Sequence, residues 1–144
     1  MIVKCDNKNI NMAVKLASKL FSCEEKILKK EFIELLENEN TIIYLKVVND
    51  QYIGFAQCQL RFDYVEGTDS SPVAYLEGIY IEDEHRGKGY AAELLKMCEN
   101  WGKGKGCVEF ASDCELVNID SFKFHIKNGF EEANRIICFV KKLN

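Results

Sequence analysis

The sequence predicts a single domain of the mixed α/β class, residues 1–144, in which a central mixed sheet is flanked by helices. A chain of 144 residues with 47% apolar content is large enough to bury one hydrophobic core. Segments with helical spacing alternate with segments rich in β-branched and aromatic residues, and no linker divides them. The predicted order of elements is α-α-β-β-β-α-β-α-β.

The first half of the chain predicts two helices and a hairpin. Residues 9–21 place apolar side chains at helical spacing, and Asn9 or Asn11 is available as a cap. Residues 24–38 repeat the pattern, with acids in the first turn as the helix dipole favours. Residues 41–48 and 52–62 flank a short polar turn, so we expect two antiparallel strands.

The second half predicts a parallel β-α-β unit followed by a helix and a last strand. A polar loop at residues 63–72 leads into a central strand at 73–81, and a helical stripe then leads to a short strand at 107–112. Ligands of such units bind beyond the carboxyl ends of the strands. Asn118 is expected to cap a helix that Gly129 closes, and residues 135–142 alternate like a strand. The stripe and the buried face of the last helix comprise Leu94, Leu95, Cys98, Trp101, Ile119, Phe122 and Ile126.

Composition and charge exclude several classes of function. With 19 basic and 23 acidic residues, the chain lacks the positive charge of a typical nucleic-acid binder. It has neither a membrane-length apolar run nor the features of a signal peptide, so we expect a cytoplasmic protein.

Cysteine and histidine usage argues against disulfides and metals. The seven cysteines are odd in number and form no CxxC pair, and Cys58, Cys98 and Cys138 lie in apolar-periodic segments. We therefore expect reduced core thiols. With only two histidines and no metal-ligand spacing, no metal site is expected.

The stretch RGKGYA, residues 86–91, lies between a predicted strand and a predicted helix. Gly87 and Gly89 can adopt positive φ, so that several backbone N–H groups converge just before the helix, where an anion such as pyrophosphate is favoured. The stretch satisfies neither the Walker A pattern nor the dinucleotide fingerprint. A glycine-rich turn without a ligand is the alternative.

This stretch also resembles the R/Q-x-x-G-x-G/A signature of the GCN5-related N-acetyltransferases. Residues 61–81, 84–91, 110–113 and 125–132 together resemble the aminoglycoside 6′-N-acetyltransferases within that superfamily. The resemblance implies acetyl-CoA as co-substrate and no metal, and a homodimer in which the last strand is sometimes exchanged. It places the pantetheine arm along Ile79, Tyr80 and Ile81, near Asn118, and the pyrophosphate on the amides of Arg86, Gly87, Lys88, Gly89, Tyr90 and Ala91.

Gly78 interrupts an otherwise bulky strand, which favours a β-bulge or a close approach at that point. A bulge there would splay this strand from the strand at 107–112. The resulting gap would admit an extended thioester arm, and a freed backbone N–H could stabilise charge on the thioester oxygen.

Two carboxylates are the candidate catalytic residues. Glu77 lies in the middle of an apolar strand, where an acid without a partner is unfavourable, so it is either a functional base or the partner of a nearby lysine or arginine. Asp113 ends the neighbouring parallel strand and is expected to face the same cleft, although a cap or turn role is the alternative. The resemblance assigns both to binding of the acceptor amine.

Further acceptor contacts are implied by the resemblance alone. Tyr64, in the acidic loop, matches an acceptor-contacting position; Phe21 replaces an expected tryptophan, and Asn134 replaces an expected acid. His125 stands where many members carry a general-acid tyrosine, and we expect the thiolate to be protonated by solvent instead. The rival hypotheses are an acetyltransferase for another cationic amine, such as a polyamine or a peptide, and a non-catalytic acyl-CoA sensor.

Overall fold

The computed structural model describes residues 1–144 and contains a five-stranded mixed sheet with four helices. Strands β1 to β4 are antiparallel, β4 and β5 are parallel, and the spatial order follows the chain. This confirms the predicted class. None of the helices has the length and hydropathy needed to cross a membrane. The elements are β1 (Ile2–Lys4), α1 (Ile10–Phe21), α2 (Glu25–Leu36), β2 (Thr41–Val48), β3 (Gln51–Arg61), β4 (Val73–Ile81), α3 (Tyr90–Gly104), β5 (Phe110–Ala111) and α4 (Ile119–Lys127).

The sheet separates two hydrophobic cores, and alternation along β3 explains why. Ala56, Cys58 and Leu60 pack with α3 on one face, whereas Phe55 packs with α1 and α2 on the other. Because side chains alternate along a strand, a strand covered on both faces is apolar almost throughout. The sheet is therefore the middle layer of three.

The predicted hairpin of β2 and β3 is confirmed. Asn49 and Asp50 form its two-residue turn, with φ of 49° and 63°. Asn and Asp tolerate this left-handed region better than other side chains, and turns of this kind match the twist of the paired strands.

The expected bulge lies at Glu77. Gln57 pairs with Gly78 and Cys58 pairs with Leu76, so Glu77 is an extra residue in β4 without a partner in β3. On its other edge, β4 pairs with β5 only at Ala74 and Tyr75. From Leu76 onward β4 has no neighbouring strand on that side, and the expectation of a splayed sheet is confirmed.

Several sequence predictions about the end of the chain are wrong. Residues 130–144 form no helix or strand, and Phe139 and Val140 are 90% and 95% exposed, so the predicted last strand is absent. Cys138 is exposed rather than a core thiol. No residue of α4 is buried, so its predicted buried face is wrong as well, although the Asn118 cap is confirmed and Gly129 follows the helix with φ of 91°. The exposed apolar side chains of α4 and of residues 130–144 are not covered by any other part of the chain.

Two smaller differences concern short strands. β1 was not predicted, because three residues are too few for a periodic pattern. β5 comprises only Phe110–Ala111 instead of residues 107–112. In the parallel register, residues 107 and 108 correspond to the loop before β4, and after Ala111 the bulged part of β4 no longer pairs.

Candidate active site

The loop before α3 presents backbone donors without acceptors. Gly87 and Gly89 have φ of 78° and 82°, and an added Cβ at either position would contact nothing within 4 Å. Glycine is therefore required by backbone conformation rather than by lack of space. The amides of residues 87–92 donate no hydrogen bond within the protein, and they precede or open a 15-residue helix. Lys88 is exposed and has no ion pair. The loop is thus suited to an anion.

Arg86 has a different role from its neighbours. Its amide donates to the Asp83 carbonyl, its Nε donates to the Ile81 carbonyl at 2.7 Å, and its guanidinium lies 3.0 Å from the Asp83 carboxylate. The side chain fastens the loop to the end of β4. Its charge lies beside the proposed anion site, but its amide is already engaged.

The open edge of β4 leads from this loop toward Glu77. Ile79 and Tyr80 are half-buried and Ile81 is buried, and none of the three has a partner strand on the β5 side. The Asn118 side-chain oxygen accepts from the Ser121 amide at 3.1 Å as a helix cap, whereas its side-chain nitrogen has no partner. The edge has the exposed backbone groups that an extended ligand requires.

Glu77 is paired with an arginine. One Arg61 nitrogen donates to both oxygens of the Glu77 carboxylate, at 2.9 Å to Oε2, and only 13% of the Glu77 side chain is exposed. The guanidinium carbon also lies 3.4 Å from the centroid of the Tyr75 ring. Glu77 therefore has the arginine partner that the structural alternative predicted. A carboxylate that accepts from one nitrogen still has lone pairs with which it can bind a ligand.

Asp113 is joined to the same group of residues through Tyr75. The Tyr75 hydroxyl donates to Asp113 Oδ2, and Oδ1 has no partner in the protein. Burial, followed by the hydrogen bond and charge of Asp113, raises the pKa of Tyr75; the charge of Glu77 acts in the same direction and that of Arg61 opposes it. Both acids therefore lie near one tyrosine, and Asp113 has no cap role.

A cavity of about 350 Å³ adjoins Glu77 on the α1 and α2 face of the sheet. Phe21, at the end of α1, lines it, and an added Cβ at Gly78 would lie 2.7 Å from the Phe21 ring. Gly78 thus permits this ring to lie against β4. A larger cavity of about 540 Å³, lined by Cys5, Leu35 and Trp101 among others, contains none of the predicted site residues.

Tyr64 and Asn134 meet outside that cavity. The Tyr64 hydroxyl donates to one oxygen of Glu66, and the Asn134 amide donates to the other at 2.9 Å. These two bonds, the one from Tyr64 first, lower the pKa of Glu66. The sequence assigned no role to Glu66, so its bridging position was missed.

His125 is held by two serines. Its Nδ1 lies 2.6 Å from the Ser121 carbonyl and therefore donates to it, which leaves Nε2 to accept from the Ser112 hydroxyl at 2.8 Å. The ring also packs against Phe130. These contacts support a structural role for His125.

Sequence reasoning also missed Arg61, Tyr75 and Ser112. Tyr75 had a usable signal, because it lies two residues before Glu77 and side chains two apart share a face. Arg61 had a weaker one: it ends the strand that pairs with β4, but the bulge changes the register between them.

The site combines a glycine-rich loop between strand and helix with a bulged strand beside a parallel neighbour. These features agree with the match of residues 10–130 to the Acetyltransferase (GNAT) family. The chain belongs to this family. GNAT structures match the fold of the whole chain. The crystal structure of aminoglycoside 6′-N-acetyltransferase AAC(6′)-IG from Acinetobacter haemolyticus, without ligands, has a TM-score of 0.96 and 35% identity, covering 100% of this chain and 99% of that one.

Two further relatives are similar over nearly the whole chain. An aminoglycoside N(6′)-acetyltransferase type 1 from Serratia marcescens is 37% identical, covering 99% of each chain. The structure of AAC(6′)-Iy in complex with the bisubstrate analogue CoA-S-monomethyl-acetylneamine has a TM-score of 0.96 and 33% identity, covering 99% of this chain and 98% of that one. The GNAT family and the subgroup predicted by resemblance are both confirmed.

Proposed function

We propose that this chain is an aminoglycoside 6′-N-acetyltransferase, which transfers the acetyl group of acetyl-CoA to the 6′-amine of kanamycin- and tobramycin-type antibiotics. The observation that carries this proposal is the position of the bulge. The open edge of β4 begins next to Glu77, which also lines the cavity. The carboxylate of Asp113 is joined to the same place through the Tyr75 hydroxyl. The relatives named above support the choice of acceptor.

The residues present fit acetyl-CoA. The amides of residues 87–92 suit a pyrophosphate, since each lacks an acceptor and the helix dipole adds positive potential. The unpaired edge at residues 79–81 suits an extended arm that needs backbone hydrogen-bond partners. The side-chain nitrogen of Asn118 has no acceptor in the protein and can donate to the same arm. When bound, acetyl-CoA supplies a thioester with an electrophilic carbonyl carbon.

The chain's own residues position the acceptor amine and manage its proton. Glu77 and Asp113 bind the acceptor ammonium, and a carboxylate, directly or through water, takes up the proton that must leave before nitrogen attacks. A new N–C bond then forms as the C–S bond breaks, and the departing thiolate is protonated by solvent. Glu77 is the primary candidate for the base, and Arg61 fixes its orientation.

Substitution of the two acids tests this assignment. In Glu77→Gln and Asp113→Asn, turnover with kanamycin or tobramycin should fall at least about tenfold, because each change removes a charge that positions the amine. Acetyl-CoA affinity, measured by calorimetry, should remain, since neither residue lies in the phosphate loop. Glu37→Gln, at the exposed end of α2, is the control. Unchanged turnover in both site variants would refute the assignment.

The range of acceptors is the open part of the proposal. Phe21 and Asn134 replace a tryptophan and an acid expected from the resemblance, and Asn134 contacts Glu66 rather than the cavity. Thiol release should be measured across aminoglycosides with and without a 6′-amine, with a polyamine and a peptide amine as comparison acceptors. Release limited to acceptors with the 6′-amine supports the proposal.

We also propose that the chain is a homodimer. Its end exposes several large apolar side chains, which is more than a monomer of this size usually leaves in one region. They include Ile119, Ile126, Ile136, Ile137, Phe139, Val140 and Leu143, each 47–95% exposed. A second copy that covers this region would bury them. Light scattering should give twice the chain mass, and Phe139→Glu should reduce it; a wild-type monomer would contradict the proposal.

A further inference from the structure

The cavity beside Glu77 carries polar groups that no part of the protein satisfies. On the α1 and α2 face of β3, buried Phe55 is followed by Gln57 and Gln59, which are half-buried and line the cavity. Neither side-chain amide has a hydrogen-bond partner, and neither does the carboxylate of Glu31, which reaches the cavity from α2. Both amides reach solvent and neither is engaged by the protein, so their donors and acceptors are available to a polar ligand.

The net charge of the cavity lining comes from Glu31. The other acid, Glu77, is compensated by Arg61, whereas Glu31 has no ion pair. On α2 the positions three and four residues from Glu31 are occupied by Ile27, Leu28, Glu34 and Leu35, so no lysine on the helix is placed to neutralise it. A ligand with one ammonium near Glu77 and a second some distance away would match this arrangement.

We propose that Glu31 binds a second ammonium group of the acceptor, and that Gln57 and Gln59 hydrogen-bond its hydroxyl groups. The inference rests on the proposed function and deepens it. Glu31 selects acceptors with an additional cation, while Glu77 and Asp113 act on the reacting amine. The cavity volume of about 350 Å³ is within the range of small-molecule sites. Glu31, Gln57 and Gln59 determine specificity through binding rather than through the chemical step.

The test compares Glu31→Gln with Glu34→Gln, a variant three residues away on α2 whose side chain is exposed and does not line the cavity. Thiol release is measured with kanamycin at saturating acetyl-CoA. In Glu31→Gln the KM for kanamycin should rise about three- to tenfold while kcat changes less than about twofold, as for an ion pair that contributes equally to ground and transition states. Glu34→Gln should leave both constants unchanged.

A ligand with a single amine provides the charge control. The inhibition constant of 6-amino-6-deoxyglucose, measured in competition with kanamycin, should be the same in wild type and Glu31→Gln, because this sugar carries no second ammonium. Charge reversal in Glu31→Lys should raise the kanamycin KM further. Thermal melting and acetyl-CoA binding identify any variant that has lost its fold, and Glu31 is exposed on a helix, where substitutions are generally tolerated.

The outcomes separate this inference from the proposed function. Equal kanamycin KM values in wild type and Glu31→Gln, a matching rise in Glu34→Gln, or a fall in kcat at constant KM would each overturn the role of Glu31. In those cases wild-type turnover with kanamycin still supports the proposed function. If the wild type releases no thiol with any aminoglycoside, the proposed function fails, and this inference fails with it.

Discussion

Gly102 fixes the distance between α3 and β4, and its replacement by alanine should destabilise the protein. An added Cβ would lie 2.7 Å from the Cβ of Ala74, which is attached to the backbone of a buried strand and cannot rotate away. Ordinary contacts between carbon atoms are about 3.5–4.0 Å. In Gly102→Ala, helix α3 must therefore move away from the sheet by about 1 Å.

The expected change in the free energy of unfolding of Gly102→Ala is the difference between two effects. Overpacking of this kind destabilises by about 1–3 kcal/mol, whereas replacing a helical glycine with alanine returns up to about 1 kcal/mol. We expect a net loss of about 1–2 kcal/mol, or roughly 3–6 °C in melting temperature for a domain of this size. Gly104→Ala is a matched control: it lies in the same helix, an added Cβ contacts nothing within 4 Å, and it should stabilise.

Urea unfolding followed by circular dichroism measures these changes. Ala74→Gly removes the opposing methyl group, so Gly102→Ala should become neutral or stabilising in that background. The double-mutant cycle should give a coupling of at least about 1 kcal/mol. If Gly102→Ala and Gly104→Ala had the same effect, or if Ala74→Gly gave no rescue, the close approach of helix and strand would not be what determines the residue at 102.

Two further predictions concern Gly78 and Glu82. In Gly78→Ala the new methyl group displaces the Phe21 ring, so acceptor KM should rise about threefold or more while stability changes by less than about 1 kcal/mol, because the alanine restores the entropy that glycine loses. The difference should disappear in a Phe21→Ala background. Lys19 donates to both oxygens of Glu82 and lowers its pKa. A depressed carboxyl pKa contributes stability above the unfolded value of about 4.5, and the contribution is lost as pH falls through the folded pKa. Glu82→Gln should therefore lower the melting temperature at pH 7, by an amount that corresponds to about 0.2–1 kcal/mol for a partly exposed pair, and the difference should shrink as the pH falls below about 4.5.

Local patterns predicted most of the fold. The helices α1, α2 and α3 and the hairpin of β2 and β3 have strong periodicity over at least eight residues, and each was found close to its predicted position. The conformation of the glycine-rich loop before α3 was also predictable, because glycine is the residue that most readily adopts the positive φ found at Gly87 and Gly89.

The predictions failed where a residue's environment depends on something outside its own segment. Residues 135–142 have the alternation of a strand, but a strand needs a partner, and one chain offers none beyond the two residues of β5. Glu77 was correctly singled out as an unusual acid in an apolar strand. Its arginine partner comes from another strand, whose register the sequence did not determine.

The bulge at Glu77 explains both how the site is built and why simple alternation misjudged this strand. Before the bulge, Ala74 and Leu76 pack on the α3 side of the sheet; after it, Ile79 and Ile81 do, so the alternation changes phase at the extra residue. As a result Glu77 and Gly78, although adjacent, both face α1, where Glu77 lines the proposed acceptor cavity and Gly78 makes room for Phe21. The same extra residue bends β4 away from β5 and leaves its edge unpaired. A single inserted residue therefore shapes both the proposed acceptor side and the proposed thioester side of the site.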